Sequence, residues 1–202
     1  MFWDNVAGVY DVFVNVINRK THQKLKGIVS YLINPDDIVL EFACGAGLLS
    51  AVIAQKCRQL TASDFSEKML KKAEKNCRVY QNITYAQADI TALAFADSSF
   101  DKVVAGNVIH LLDNPLTTLG ELSRVCKDGG MLIIPTYMNK DSRGKTSGFA
   151  GAVGRAGADF KRQFTVDSYR QFFLEAGCPD VKISLVDGRI PCAVAVMRKA
   201  IR

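Results

Sequence analysis

The segment IVLEFACGAGLLS, residues 38–50, constrains the fold of this chain more than any other part of the sequence. An apolar run ends at an acid, Glu41, and two glycines, Gly45 and Gly47, precede an apolar stretch with helical character. Glycine lets backbone N–H groups approach a ligand closely, and the start of a helix offers a positive dipole end. The segment therefore predicts a strand, a tight loop and a helix that hold a polar ligand.

The same alternation of strand and helix continues along the chain. Apolar runs predict strands at 38–42, 59–63, 83–86, 102–106, 131–136, 181–186 and 192–197, the last two joined by the turn Asp187-Gly188. Helices are predicted at 48–54, after the N-cap residue Ser66, after the Asn114-Pro115 pair, and from Thr165 to a stop at Gly177. Repeated βα units predict an α/β fold: a seven-stranded, mostly parallel sheet with helices on both faces and a C-terminal antiparallel β-hairpin.

Length and composition exclude several classes of protein. The 202 residues suit one domain, 1–202, and no apolar run reaches the roughly 20 residues of a membrane span. The six cysteines show no CxxC pairing and no signal peptide is evident, so we expect reduced thiols in a cytoplasmic protein. The net charge of +6 is mild, and no nucleic-acid-binding motif is visible. A basic stretch lies between Met138 and Gln163.

Polar residues follow three further predicted strands, at the edge where parallel sheets bind ligands. Asp64 lies 17 residues after Gly47, close to the spacing expected of an acid that binds a ribose diol; the alternative is an N-cap for the next helix. Asp89 could accept from an exocyclic amine beside the apolar Ile90, or could cap a turn. Asn107 and His110 follow the fourth strand, and His110 is either a general base or an inert wall residue.

The residue types at these positions discriminate between nucleotide-like ligands. A dinucleotide site requires G-x-G-x-x-G/A, but Ser50 occupies the third glycine position. Glu41 would repel a pyrophosphate and suits a ligand with an ammonium group. Acceptors for a ribose, an adenine amine and an ammonium together describe S-adenosylmethionine (SAM), and no metal site is expected.

The motifs resemble the class I SAM-dependent methyltransferases, which are Rossmann-like, and in particular the ubiquinone/menaquinone-biosynthesis group. The resemblance rests on EFACGAG, SDFSEKML, ADITALAFADSSFDKVV, ELSRVCKDGGMLII and FTVDSYRQFFLEAGC, in this order. Ala43 replaces the first glycine of the family's loop, which we expect to be tolerated if this residue keeps φ below zero. Asp128 replaces a proline in a turn, where the change matters little.

The resemblance implies a role for each matching residue. Glu41 and Asn107 would contact the methionine end, Asp64 the ribose, and Asp89 the adenine amine, while Tyr10 would close over the cofactor. The remaining implied cofactor contacts are Phe42, Ala43, Gly45, Gly47, Phe65, Met69, Ile90 and Val108. In-line methyl transfer needs mainly positioning, so a base is required only if the acceptor loses a proton. His110 is the first candidate for such a base, and Tyr137 the second.

The acceptor and the competing functions stay open. An N-terminal helical cap, 1–34, and a variable substrate-side segment, 138–162, would cover a small-molecule acceptor that is partly apolar or anionic. We expect no nucleic-acid partner and no stable membrane insertion, and the oligomeric state is undetermined. The alternatives to a methyltransferase are a non-catalytic regulatory protein that binds SAM or S-adenosylhomocysteine, and an NAD-type oxidoreductase.

Overall fold

A computed structural model of the chain describes residues 18–90, 93–138, 161–188 and 190–201. Its strands are β1 (Ile38–Phe42), β2 (Gln59–Asp64), β3 (Ile83–Gln87), β4 (Phe100–Ala105), β5 (Cys126–Tyr137), β6 (Lys182–Val186) and β7 (Cys192–Arg198). Its helices are α1 (Arg19–Leu32), α2 (Ser50–Ala54), α3 (Glu67–Asn76), α4 (Pro115–Val125) and α5 (Val166–Glu175), with a 3-10 turn at Ile109–Leu111. The predicted first helix, around Tyr10, and most of 138–162 lie outside the described residues.

The seven strands of the described chain form one sheet in the order β3-β2-β1-β4-β5-β7-β6. The five neighbouring strands β3, β2, β1, β4 and β5 run parallel to one another, and β7 is antiparallel to both β5 and β6. The predicted mostly parallel sheet with a C-terminal hairpin is therefore confirmed. The order reverses direction beside β1, so β1 and β4 flank the crevice where open α/β sheets bind their ligands.

Helices cover both faces of this sheet, as the pattern predicted. Leu25 of α1, Ile53 of α2 and Leu70 of α3 belong to one core cluster. Leu122 of α4 and Phe173 of α5 belong to the cluster on the other face. No helix in the described parts of the chain is both long and apolar enough to cross a bilayer.

Local sequence signals determine several of the helix ends. The side chain of Ser66 accepts from the Met69 N–H, and Thr165 forms a reciprocal capping box with Ser168. Gly177 stops α5 at a φ of +76°, a conformation that favours glycine. The predicted cap at Asn114 is only half right, because Pro115 opens α4 but the Asn114 side chain makes no capping hydrogen bond.

The start of β5 differs from its prediction. The strand begins at Cys126, five residues before the predicted start at Met131, and runs through the Gly129-Gly130 pair. Cys126 pairs with Phe100, whereas Met131 pairs with Lys102, so the register shifts across a bulge. A Cβ on Gly130 would lie 2.7 Å from Cys126 Sγ, which explains why this position needs glycine.

Arg124 of α4 anchors the described part of the connection from β3 to β4. Its guanidinium donates to the carbonyls of Leu93 and Phe95 at 2.9 Å each and to Asp97 Oδ1 at 2.6 Å. Glu121 accepts from the same guanidinium at 2.9 and 3.0 Å. The start of this connection carries Asp89 and Ile90, so Arg124 stabilises the backbone that follows two predicted site residues.

Arg124→Ala is expected to lower the melting temperature by several degrees. Two partly buried backbone carbonyls and two carboxylates lose the guanidinium that donates hydrogen bonds to all four. Arg124→Lys should recover part of the loss, since a single ammonium cannot replace a planar fork of donors. Thermal unfolding of both variants measures this, with Arg170→Ala, an exposed arginine on α5, as the matched control. Equal melting temperatures for Arg124→Ala and Arg170→Ala would contradict the assignment.

Candidate functional site

A cavity of about 270 Å³ opens at the carboxyl ends of β1, β2 and β4. It is lined by Phe42, Ala43, Gly45, Asp64, Phe65, Met69, Asp89, Ile90, Gly106, Asn107, Val108, Leu111 and Leu112. Ten of these are residues that the sequence indicated for cofactor binding. Parallel topology brings them together, because strands distant in sequence end at the same edge of the sheet.

Asp64, the last residue of β2, organises the loop that follows β1. Its Oδ2 accepts from the Gly45 N–H at 2.9 Å, and its Oδ1 accepts from the Ser66 N–H at 2.9 Å. The ribose-acceptor and N-cap interpretations of Asp64 are therefore compatible, because each carboxylate oxygen offers two acceptor directions. The side chain also lines the cavity, half-buried, where a ligand can reach it.

The two loop glycines have different physical roles. Gly45 lines the cavity at a φ of +55°. Gly47, at a φ of +85°, does not line it; a Cβ there would lie 2.8 Å from Cys77 Sγ and 3.3 Å from Ala73 Cα. Gly47 therefore permits the close packing of the loop against α3, and its predicted contact with a ligand stays a prediction.

Ala43 adopts a φ of +54°, so the condition under which the alanine was expected to be tolerated, a φ below zero, is not met. The loop turns here so that the next residue, Cys44, can donate its N–H to the Ser63 carbonyl at 3.0 Å. A left-handed conformation costs a residue with a Cβ about 1–2 kcal/mol. The chain tolerates this strain in the wall of its cavity.

Ala43→Gly is expected to raise the free energy of unfolding by up to about 1 kcal/mol, since relief of strain outweighs the extra entropy of the unfolded chain. Urea denaturation measures the change. Ser98→Gly is a matched control, because Ser98 has a φ of +52° and does not line the cavity. Both variants should be stabilised, and only Ala43→Gly can alter ligand affinity; destabilisation of both would contradict the argument from strain.

Glu41 lies beneath the loop and not in the cavity wall. Its carboxylate is 2% exposed and accepts from Ser50 Oγ at 2.5 Å. Burial raises the pKa of Glu41 from 4.5 to about 8, with a smaller contribution from the nearby Asp64. Ser50 occupies the position of the third glycine of the dinucleotide motif. It is therefore the hydrogen-bond partner of Glu41.

The far wall of the cavity follows β4. Asn107 sits at a φ of +55°, which asparagine tolerates, and its N–H donates to the Pro135 carbonyl at 2.8 Å. Its side-chain oxygen Oδ1 is buried and has no hydrogen-bond partner among the described residues. Such an atom costs free energy unless a ligand supplies a donor. The oxygen therefore indicates a donor group on the ligand.

The two predicted bases and the predicted closing residue are not in the described cavity wall. His110 is 2% exposed, and burial lowers its pKa to about 4. Tyr137 Oη lies 2.6 Å from His22 Nε2, on the side of the sheet that α1 covers. Tyr10 lies outside the described residues. A general-base role for His110 or Tyr137 stays a prediction, and a histidine with a pKa near 4 is a weak base at neutral pH.

Sequence reasoning missed three cavity residues, Gly106, Leu111 and Leu112. They surround the 3-10 turn Ile109–Leu111, whose tight winding turns His110 inward and the two leucines toward the cavity. The signal available was the pair Leu111-Leu112 directly after a strand-end asparagine.

The residues of the cavity fit SAM. Acids at the ends of two strands can accept from hydroxyls and an amine, and the orphaned Asn107 Oδ1 requires a donor. Phe65, Met69 and Ile90 provide apolar surface for a flat ring. A larger depression of about 960 Å³ at the opposite edge of the sheet, lined by residues such as Gly129 and Lys199, has no comparable set of strand-end acids.

Comparisons with known proteins agree with this interpretation. Residues 40–134 match the family described as "Methyltransferase domain". The chain is 33% identical over 137 residues to a demethylmenaquinone methyltransferase of Renibacterium salmoninarum, covering 67% of this chain and 56% of that protein. It is 30% identical over 135 residues to a ubiquinone/menaquinone biosynthesis C-methyltransferase of Desulfotalea psychrophila, covering 65% and 54%. The chain thus spans about half the length of these relatives.

Solved structures share the fold at low sequence identity. A SAM-dependent methyltransferase from Thermotoga maritima aligns with a TM-score of 0.78 at 19% identity, covering 98% of each chain. Phosphoethanolamine N-methyltransferase 2 of Haemonchus contortus, solved with SAM, aligns with a TM-score of 0.73 at 14% identity, covering 89% of this chain and 53% of that one. Residues 40–134 match a methyltransferase domain, and the predicted resemblance to class I SAM-dependent methyltransferases is confirmed, with SAM as the cofactor that this resemblance implies.

Proposed function

We propose that the protein transfers the methyl group of SAM to a small organic acceptor, and that a quinol ring is the acceptor class to test first. The cavity where Asp64, Asp89 and the unpartnered Asn107 Oδ1 meet around apolar walls carries this proposal. The names of the curated relatives, which act on demethylmenaquinone or in ubiquinone and menaquinone biosynthesis, support the acceptor class.

Each group of the cavity has a role in holding the cofactor. Asp64 accepts from the ribose hydroxyls and keeps the glycine loop in place through Gly45. Asp89 accepts from the adenine amine, and Ile90 lies against the ring. Asn107 Oδ1 accepts from the ammonium end, and the buried Glu41 beneath the loop, which is protonated in the free protein, ionises when the ammonium approaches.

SAM supplies a methyl group that is already activated by the positive sulfonium, so the protein contributes mainly position and a water-poor environment. Holding two reactants in line is worth about 7–11 kcal/mol of the barrier. Leu111 and Leu112 give one side of the cavity an apolar wall that excludes water and can meet an organic ring. A base from the protein is needed only for an acceptor that must lose a proton.

The compartment is part of the proposal. All six cysteines are free thiols, five of them buried. Burial raises the pKa of Cys44, Cys57 and Cys126 above their ordinary value, which keeps these thiols protonated and unreactive. Free thiols of this kind fit a reducing compartment such as the cytoplasm.

Methyl transfer from radiolabelled SAM to a short-chain demethylated naphthoquinol tests the function. We expect label in the organic acceptor with the wild-type protein and none with Asp64→Ala. The oxidised quinone is the matched acceptor control, because its ring is a poorer nucleophile. S-adenosylhomocysteine binding without transfer to any acceptor in a panel of quinols, phenols and amines would instead favour the non-catalytic binder.

A further inference from the structure

Charge is distributed unevenly between the two faces of the sheet. Helices α1, α2 and α3 pack on one face, and we call their outer surface, residues 19–32, 50–58 and 67–78, the basic helical face. Helices α4 and α5 cover the other face, and they carry two basic side chains, Arg124 and Arg170, against three acidic ones, Glu121, Asp167 and Glu175. The excess positive charge of the chain therefore does not lie on the α4–α5 face.

The basic helical face holds almost no acid. Helix α1 carries Arg19, Lys20, Lys24 and Lys26 with no acidic residue, and Lys56 and Arg58 follow α2. Helix α3 and the residues just after it carry Lys68, Lys71, Lys72, Lys75 and Arg78 against Glu67 and Glu74. Eleven basic side chains thus stand against two acidic ones, on a chain whose overall net charge is only +6.

The exposed side chains of this face align in two stripes. Lys20, Lys24 and Tyr31 share one side of α1 at helical spacing, and Tyr31 is 88% exposed. Lys68 and Lys75 occupy the same side of α3, and Val79 just beyond its end is 71% exposed. Each stripe therefore ends in a large apolar side chain that faces water.

We propose that the basic helical face docks the protein onto an anionic lipid surface. Lysine and arginine side chains are attracted to anionic headgroups, and each one near the surface adds to the binding. Tyrosine is a residue type that sits at the water–lipid interface, which suits the exposed Tyr31. This inference goes beyond the proposed methyl transfer and does not depend on which acceptor is used.

A nucleic acid fits the same face less well. Single strands bind in basic grooves with several aromatic side chains for base stacking. Residues 19–32, 50–58 and 67–78 carry a single exposed aromatic residue, Tyr31. Eight of the eleven basic residues are lysines, which act as point charges, whereas bidentate phosphate recognition favours arginine.

The position of the face is compatible with activity. The cavity opens at the edge of the sheet, and α3 borders it only through Met69 in its first turn. The stripe residues Lys20, Lys24 and Lys75 do not line the cavity. Docking through this face would hold the cavity beside the lipid surface without covering its mouth.

Vesicle flotation of the full chain tests the proposal. The vesicles contain phosphatidylcholine alone, or with about one third phosphatidylglycerol as the anionic lipid. We expect binding to the anionic vesicles only, with most of it lost when salt is raised from roughly 0.02 M to 0.3 M. The triple variant Lys20→Gln/Lys24→Gln/Lys75→Gln should bind at least about tenfold more weakly.

A second triple variant tests whether binding depends on where the basic residues lie or only on the net charge of the protein. Lys161→Gln/Arg162→Gln/Arg170→Gln removes the same charge at exposed positions on and just before α5, on the other face of the sheet, and should keep wild-type binding. Circular dichroism verifies that both variants are folded, and no cofactor or acceptor is present. Equal losses in the two variants, equal binding to both vesicle types, or tighter binding to a duplex or single-stranded oligonucleotide than to the anionic vesicles would overturn the proposal.

Discussion

Asp64→Ala is expected to weaken S-adenosylhomocysteine binding by about a hundredfold, the largest effect of any single substitution in the cavity. The carboxylate accepts from the N–H groups of Gly45 and Ser66, both at 2.9 Å, and lines the cavity. Hydrogen bonds to a charged group contribute about 1.5–3 kcal/mol each. The variant loses the proposed ribose acceptor and the support of the glycine loop together, and calorimetry measures the loss.

Two controls separate these contributions. Asp64→Asn keeps one acceptor oxygen, so it should retain part of the loop support and bind more tightly than the alanine variant. Asp167→Ala removes an exposed acid from α5 and should leave affinity unchanged. An affinity for Asp64→Ala within about twofold of wild type, a difference of roughly 0.4 kcal/mol, would show that Asp64 does not support the ligand.

Glu41→Gln is expected to remove a pH dependence of stability that the wild-type protein shows between pH 6.5 and 8. Burial raises the pKa of Glu41 from 4.5 to about 8, so the folded state keeps a proton that the unfolded chain releases. This contribution to the free energy of unfolding is complete below pH 4.5 and is lost as the pH rises through about 8.

His110 acts in the opposite direction at lower pH. Its pKa falls from 6.5 to about 4 on burial, so the unfolded chain holds more protons and stability rises with pH across that interval. Above pH 6.5 only Glu41 of the two still contributes to the slope. We expect the wild-type protein to lose roughly 1–2 kcal/mol between pH 6.5 and 8 in urea denaturation. Equal slopes for wild type and Glu41→Gln would contradict the pKa shift.

The same proton provides a test of the ligand contact. An ammonium group close to Glu41 favours the ionised carboxylate, so cofactor binding at neutral pH should release a proton from this residue. Calorimetry in two buffers with different ionisation enthalpies detects the release. Wild type should show it and Glu41→Gln should not; an identical buffer dependence in both would place the ammonium elsewhere.

Residues that report on local structure were predictable from the sequence. The strand-loop-helix unit around Gly45, the N-caps Ser66 and Thr165, and the stop at Gly177 depend on neighbours within a few residues. Asp64 and Asp89 could be placed in one cavity because each follows a predicted strand and parallel strands end at one edge of the sheet. Local patterns at two separate strands therefore predict that these two side chains lie close together.

What could not be predicted depends on contacts between distant segments. The positive φ of Ala43 accompanies the hydrogen bond that the next residue, Cys44, donates to the Ser63 carbonyl on β2. The need for glycine at position 47 follows from the close packing of Cys77 against the loop. The early start of β5 depends on pairing with Phe100 across a bulge. The orientation of His110 depends on a 3-10 turn, which is too short to show a periodic pattern of apolar residues in the sequence.

Calorimetric titration of the wild-type protein with S-adenosylhomocysteine, with NAD as the parallel ligand, tests the central claim most directly. The arrangement of Asp64, Asp89 and Asn107 predicts a micromolar dissociation constant, about −8 kcal/mol, for S-adenosylhomocysteine and no measurable heat for NAD. Preference for NAD, or no binding of either ligand, would contradict the assignment of this cavity to SAM and reduce the glycine loop to a structural turn.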